Sequence, residues 1–337
     1  MQTEPTRKSK RAGRPRRLLL LPLALLTTHC SLFSAGANPR ASLPPCVDDD
    51  CDCGDLISQP LAQAVLDAVR GDPYGLDRDG NGRACEALPL ATRPLEPLTY
   101  VSPSSHLALG NPSHAGKTYV GNYLIEREQY VLAYDRDRAS LIWASWLVNR
   151  SWLGQTDRQD DFRPDSGLPK EFPPVLPTAY RGSGYDRGHM VPSGDRTRSP
   201  QDNSATFLMS NVFPQTADNN RGPWKELEEY SRQRVREGKS LYVIGGVYGE
   251  RGKVGEVTVP GRIWKVIVVL DSPTASVSGI TDRTEVIAVD MPNRDRVDAS
   301  WQTYQTTVDR IEIATGYDLL SSVPVEIQAI IEAKICG

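Results

Sequence analysis

The sequence predicts an α+β fold on three observations. Strand-like runs, rich in Tyr, Val, Ile and Trp, fall in two groups, near residues 119–148 and 241–291. Helical periodicity lies between and after them, so the two kinds of element are grouped and do not alternate as in a parallel α/β sheet. A small cysteine-rich unit precedes both groups, with four of the six cysteines between Cys46 and Cys85. With 39% hydrophobic residues over 337 positions, there is material for a real core and no sign of wholesale disorder.

Taken in order, residues 1–37 read as an export leader. Arg7, Lys8, Lys10, Arg11, Arg14, Arg16 and Arg17 precede an apolar run over 18–26, and Ala35-Gly36-Ala37 offers a small-x-small cleavage site. The run is shorter than the ~20 apolar residues of a permanent span. The product is therefore expected to be secreted, or held in the periplasm or cell envelope. His29 is too bulky a neighbour for Cys30 to read as a lipidation signal. The leader holds seven basic residues and one acidic, against 39 and 42 in the whole chain, so the remainder has a net charge near −9. That balance argues against tight polyanion binding. It leaves room for a hydrolase, which needs only local positive charge.

Residues 38–90 form a separate small unit with helical periodicity at Leu61, Val65, Leu66 and Val69. It ends in a loop with Asp77, Asp79 and Asn81 at alternate positions and Gly82 at the sharp turn, the way a calcium loop presents oxygens to a hard cation. Glu86 stands at the tenth loop position, not the twelfth of an EF-hand. The competing reading is an acidic, solvated turn. Residues 91–105, with Pro94, Pro97 and Pro103, make an extended linker.

The remaining domain spans 106–337. Strands are expected at 119–125, 130–134 and 141–148, then at 241–247, 263–270 and 285–291. Helices are expected at 223–237, 303–315 and 325–334. The first of these is framed by Gly222-Pro223 at its start and Gly238 at its end. Residues 155–184 are a long polar excursion, unusual enough to suggest functional use.

That excursion leads into Tyr-Asp-Arg-Gly-His-Met over 185–190, which sets Asp186, Arg187 and His189 within four positions beside Gly182, Gly184 and Gly188. Phosphodiester hydrolysis needs a base for water, positive charge on the phosphate and help for the leaving oxygen. A neutral imidazole is the natural base. About thirty residues later come Asn219-Asn220-Arg221-Gly222-Pro223-Trp224, then Glu228 and Arg232. Asn220 falls just ahead of the expected helix, while Glu228 and Arg232 share a helix face. Eight helical residues cover ~12 Å, so Asn220 and Glu228 cannot easily touch one ion together. For Glu228 and Arg232 alone, a surface ion pair is the simpler account.

The two blocks, together with His106-Leu-Ala-Leu-Gly-Asn-Pro-Ser113 and Phe207-Leu-Met-Ser-Asn-Val-Phe-Pro-Gln215, resemble the DNA/RNA non-specific endonucleases, the ββα-metal (His-Me finger) nucleases that include endonuclease G relatives. The resemblance implies a central antiparallel sheet and hydrolysis of DNA and RNA to 5′-phosphate products with Mg²⁺ or Mn²⁺. It implies His189 as general base, Asn220 as direct metal ligand and Glu228 as holder of a metal-bound water. Arg187 and Arg232 would engage the phosphate, Asn211 would support the site, and Asp186 would orient it. The preference for Asn220 over Asn219 comes from the resemblance alone. The small unit is similar to the excalibur calcium-binding module, with Asn81 in place of that module's third Asp. By that likeness Asp77, Asp79, Asn81 and Glu86 would take Ca²⁺. Cys53–Cys85 is the favoured disulfide and Cys46–Cys51 the next, with connectivity open and Cys336 unplaced. Two other readings compete: a calcium-dependent surface protein without catalysis, and a phosphodiesterase for small diesters.

Overall fold

The first described element of the computed structural model, which covers residues 30–32, 42–90, 104–272 and 274–336, is the short strand β1 (Cys30–Leu32). It lies inside the stretch read as a leader. It pairs antiparallel with β13 (Lys334–Cys336), placing Cys30 opposite Cys336. The rest of the leader and most of the linker lie outside the described residues. Among the described residues no helix is long and apolar enough to cross a membrane.

The small unit is built on α1 (Gln59–Ala68), capped by Ser58, whose hydroxyl accepts from the Leu61 amide. Ala62 and Val65 of α1 pack on Leu56, Leu76 and Ala84. So small a core needs covalent help, and Cys46–Cys51 and Cys53–Cys85 supply it. Both pairings are those favoured from the sequence.

Seven strands follow in one antiparallel sheet. In chain order they are β2 (Tyr123–Glu126), β3 (Val131–Asp135), β4 (Ser140–Val148), β7 (Ser240–Tyr248), β10 (Arg262–Leu270), β11 (Glu285–Pro292) and β12 (Gln305–Thr306). Their spatial order is β12-β11-β10-β7-β4-β3-β2, so the two sequence groups join at β4 and β7. Side chains alternate between faces, as strand geometry demands. On β10, Trp264, Val266 and Val268 enter one core while Ile263, Ile267 and Val269 enter the other. The first core is covered by α5 (Val308–Thr315) and α6 (Val325–Ile331), through Val308, Ile311, Ala314 and Ile331.

The second core carries a smaller motif. Strands β5 (Asp186–His189) and β6 (Val212–Gln215) form an antiparallel pair, with α2 (Pro200–Ala205) in the excursion between them. The chain continues through α3 (Ala217–Arg221) into α4 (Pro223–Arg236). This is a ββα unit on an α+β scaffold. Trp224, Leu227 and Val235 of α4 seat it on the sheet, with Lys225 and Glu229 facing solvent. A further hairpin, β8 (Gly252–Val254) and β9 (Val257–Val259), follows β7 and packs its valines with Val212 of β6.

Three expectations shift in detail. The first strand starts at Tyr123, not 119. The helix expected from 303 begins only at Val308, because β12 and the cap at Thr307 occupy its start. Asn220 sits inside its own short helix, since Gly222 breaks the chain between α3 and α4.

Candidate active site

Strand β5 delivers Asp186, Arg187 and His189, and β6 holds it in register, with Gly188 opposite Phe213. Gly188 is required here: a Cβ would come within 2.2 Å of the Gln215 side chain. Beneath the motif, Met190 reaches the sheet at Gly245, where any Cβ would stand 2.8 Å from the Met190 sulfur. Trp224 Nε1 donates to the His189 carbonyl oxygen, so α4 grips the backbone of the histidine itself.

His189 is 9% exposed, and its ring packs against Phe162 and Phe207, with ring centres 5.2 and 5.0 Å away. The Arg187 guanidinium lies 3.9 Å over Phe162, and that of Arg158 lies 4.7 Å over Phe207. Burial, reinforced by Arg158 and Arg187, depresses the imidazole to about 3, against a weaker hydrogen bond with the Arg187 main chain. His189 is thus neutral near neutral pH. Its Nε2 is buried and meets no hydrogen-bond partner among the described residues.

Asp186 accepts from Asn220 Nδ2 at 2.8 Å and from Arg221 Nε and Nη2 at 2.8 and 2.7 Å. Burial alone would raise this carboxyl, but the bonds from Arg221 and Asn220 outweigh it and hold the group below its usual range. The amide nitrogen of Asn220 is thereby committed, and no protein donor among the described residues reaches its Oδ1. The neighbouring Asn219 is wholly buried, accepting from Gln215 at 2.7 Å and donating to the Pro292 carbonyl at 2.9 Å.

Deeper on α4, Glu228 and Arg232 are 14% and 15% exposed and 3.9 Å apart. They are not the surface pair their spacing alone allows. Burial lifts Glu228 to about 7, against the pull of Lys265 and Arg232. Asp195 accepts from Arg232 at 3.2 Å and from Trp146 Nε1 at 3.0 Å. The Lys265 ammonium lies 3.8 Å from the centre of the Trp224 ring. Asn211 is fully buried and bonds Val191 and Thr206 with its side chain, so it braces the loop and does not reach the groove.

A groove of about 480 Å³ opens beside these groups, lined by Arg158, Phe162, Arg181, Tyr185, Asp186, Arg187 and Asn220 among others. His189, Glu228 and Arg232 are not in its wall. The sequence did not single out Arg158, Phe162, Asp195 or Lys265, and assigned no role to Phe207 or Arg221, though both lie in its motif blocks. The first two lie in the long excursion over 155–184, whose length was the available signal.

In the small unit, Asp77 accepts from the amides of Asn81 and Gly82 at 3.1 and 2.8 Å. The Asn81 side-chain amide donates to Asp79 at 2.9 Å and to Glu86 at 3.3 Å. The four residues therefore gather on one loop.

The DNA/RNA non-specific endonuclease family matches this chain over residues 111–326. A nuclease of Nostoc sp. is 50% identical over 245 residues, 71% of this chain and 89% of that protein. Human mitochondrial endonuclease G is 32% identical over 210 residues, 57% of this chain and 68% of its own. The mitochondrial nuclease EXOG of Xenopus laevis is 34% identical over 163 residues, 43% and 45% of the two chains. A chain from the crystal structure of an EndoG/EndoGI complex shares the fold, with a TM-score of 0.55 at 24% identity, covering 67% of this chain and 96% of that one. With a buried neutral histidine on the ββα unit and the family match spanning that unit, this chain belongs to the DNA/RNA non-specific endonucleases and is a metal-dependent nuclease.

Proposed function

We propose that this chain is an exported endonuclease that uses Mg²⁺, or Mn²⁺, to hydrolyse phosphodiester bonds of DNA and RNA, leaving 5′-phosphate and 3′-hydroxyl ends. One observation carries the proposal: a neutral imidazole packs on the same two phenylalanine rings as two guanidiniums, on the strand whose Asp186 grips Asn220. The basic, then apolar, N-terminal stretch supports export.

The residues present fit a hard dication. Asn220 has its amide oxygen free and its nitrogen tied, and Glu228 is a sheltered carboxylate that positive charge would help to ionise. Asn220 would hold the ion directly and Glu228 through water. When bound, the ion supplies positive charge at the phosphate and the departing oxygen. His189 takes the proton of the attacking water. Arg187 and Arg158 bind the phosphate, their planes fixed by stacking on Phe162 and Phe207. Asp195 positions Arg232, and Asp186 orients Asn220. Contacts confined to the sugar-phosphate backbone read little sequence, which supports action on both DNA and RNA.

The test is degradation of plasmid and RNA with Mg²⁺, with chelator and with His189→Ala. Chelator abolishes cutting, and His189→Ala lowers it by roughly 10²–10⁴-fold. Parental cutting by His189→Ala overturns the base assignment. Fast cleavage of small diesters with poor cutting of polymers would move the substrate class. The loop of Asp77, Asp79, Asn81 and Glu86 is the expected Ca²⁺ site, and Asp77→Asn in the full chain should remove one calcium equivalent by calorimetry.

A further inference from the structure

On the sheet face opposite the ββα unit, three carboxylates converge. Asp309 and Glu312 lie one turn apart on α5, and Glu332 follows the end of α6; one oxygen of each lies within 4.8 Å of the others. Oxygens bound to one calcium at about 2.3–2.6 Å are at most about 5 Å apart, so this spacing suits a single coordination sphere. None of the three forms an ion pair with Lys or Arg among the described residues. The charges acting on Glu332 are Glu312, Asp309 and Asp318, all acidic.

A separate observation concerns the environment of Glu332. It is only 6% exposed, and its Oε1 is buried without a hydrogen-bond partner. Its main-chain oxygen accepts from the amides of Val308 and Asp309 at 2.9 and 3.3 Å, which pins it over the start of α5. Glu312 Oε1 already accepts from the Leu319 amide at 2.8 Å, leaving its second oxygen free. A buried carboxylate oxygen without a donor is costly, and a cation answers both that cost and the mutual repulsion. An oxygen-only set suits calcium, magnesium or manganese and not the softer metals.

We infer that Asp309, Glu312 and Glu332 form a second site for a hard divalent cation, calcium or magnesium, which clamps α5 to the C-terminal segment behind the sheet. The site is separate from the nuclease centre: α5 and α6 pack on one face of the sheet, and Met190, Phe213 and Trp224 on the other. Glu332 also lies beyond residues 111–326, the stretch that matches the family.

The experiment is calorimetric titration of the full chain with CaCl₂ and, in a second arm, MgCl₂. All proteins carry Asp77→Asn and Asp79→Asn to silence the loop in the small unit. Adding Glu332→Gln should remove one bound equivalent or weaken it at least about tenfold, and should shrink the rise in Tm that the cation produces. Asp309→Asn, at a less buried position, should do the same and carries the test if Glu332→Gln fails to fold. The same equivalents and affinities in parent and variants overturn the inference. So does a Glu332→Gln protein that is more stable in chelator yet binds as many ions, because a proton then fills the cluster.

Discussion

Two adjacent asparagines with the same side chain are given different work by their positions. Asn219 is closed into the protein at both ends of its amide, while Asn220 has one end tied to Asp186 and the other free. Asn219→Ala should therefore lower stability by about 1–3 kcal/mol, the scale for leaving buried partners unsatisfied. Asn220→Ala should leave Tm nearly unchanged and lower Mg²⁺ affinity and cutting. Thermal melts beside activity assays separate the two, and the reverse pattern would exchange their roles. Glu228 makes a pH prediction. Its carboxyl is held up at about 7, so it gains a proton as pH falls through that value, and a neutral carboxyl would no longer attract a cation. At subsaturating Mg²⁺, kcat/KM should fall below about pH 7. The residual activity of Glu228→Gln should lack that limb.

At the scale of elements, the hairpin of β5 and β6 is the least strand-like part of the sequence, with Gly188 and Pro214 inside it. Long-range contacts hold it: Trp224 on the His189 carbonyl, Met190 against Gly245, and Asn211 across the loop ends. A second histidine shows how loops are locked to the sheet. His106 Nδ1 accepts from the Leu147 amide of β4 at 3.0 Å, and its Nε2 lies 2.7 Å from the Glu128 carbonyl oxygen. Only the neutral ring satisfies both. Burial first, then Arg196, depresses it to about 4. The unfolded chain takes up that proton near pH 6.5, and the folded chain does so only near 4. The stabilisation is therefore complete above pH 6.5 and is lost as pH falls toward 4. Denaturation midpoints across that window should fall with acid, and His106→Gln should flatten part of the slope. An unchanged slope would remove His106 from the account.

For the whole molecule, the small unit is not a free tether partner. Asp55, fully buried, pairs with Arg251 at 3.0 Å, and Asp49 pairs with Arg294 at 2.9 Å. Asp48 and Asp50 pair with Arg310 and Arg294. The acidic turn thus covers basic residues of the nuclease domain. Arg294 also reaches the active-site unit, since its carbonyl accepts from Thr216, just before α3. Burial keeps Asp55 up at about 6 against Arg262 and Arg251. Asp55→Ala should cost roughly 3 kcal/mol, the low end for a broken buried pair, because Arg251 keeps a quarter of its side-chain surface in water. Chemical denaturation measures it. A loss within error of zero would show that the docking contributes little.

Local pattern was enough for much of this protein. Runs of β-branched and aromatic residues marked out six of the seven sheet strands, and Gly222-Pro223 and Gly238 framed α4, because these signals act over a few residues. The blocks around His189 and Asn220 carried the family resemblance as residue types. Tertiary structure alone decided that His189 is buried and neutral, which asparagine faces the groove, and that Arg158 and Phe162 from a distant loop flank the imidazole. Those outcomes depend on burial and on partners far away in the chain. A buried imidazole or carboxylate is set by the charges and apolar surface folded around it, and no short stretch of sequence contains that environment.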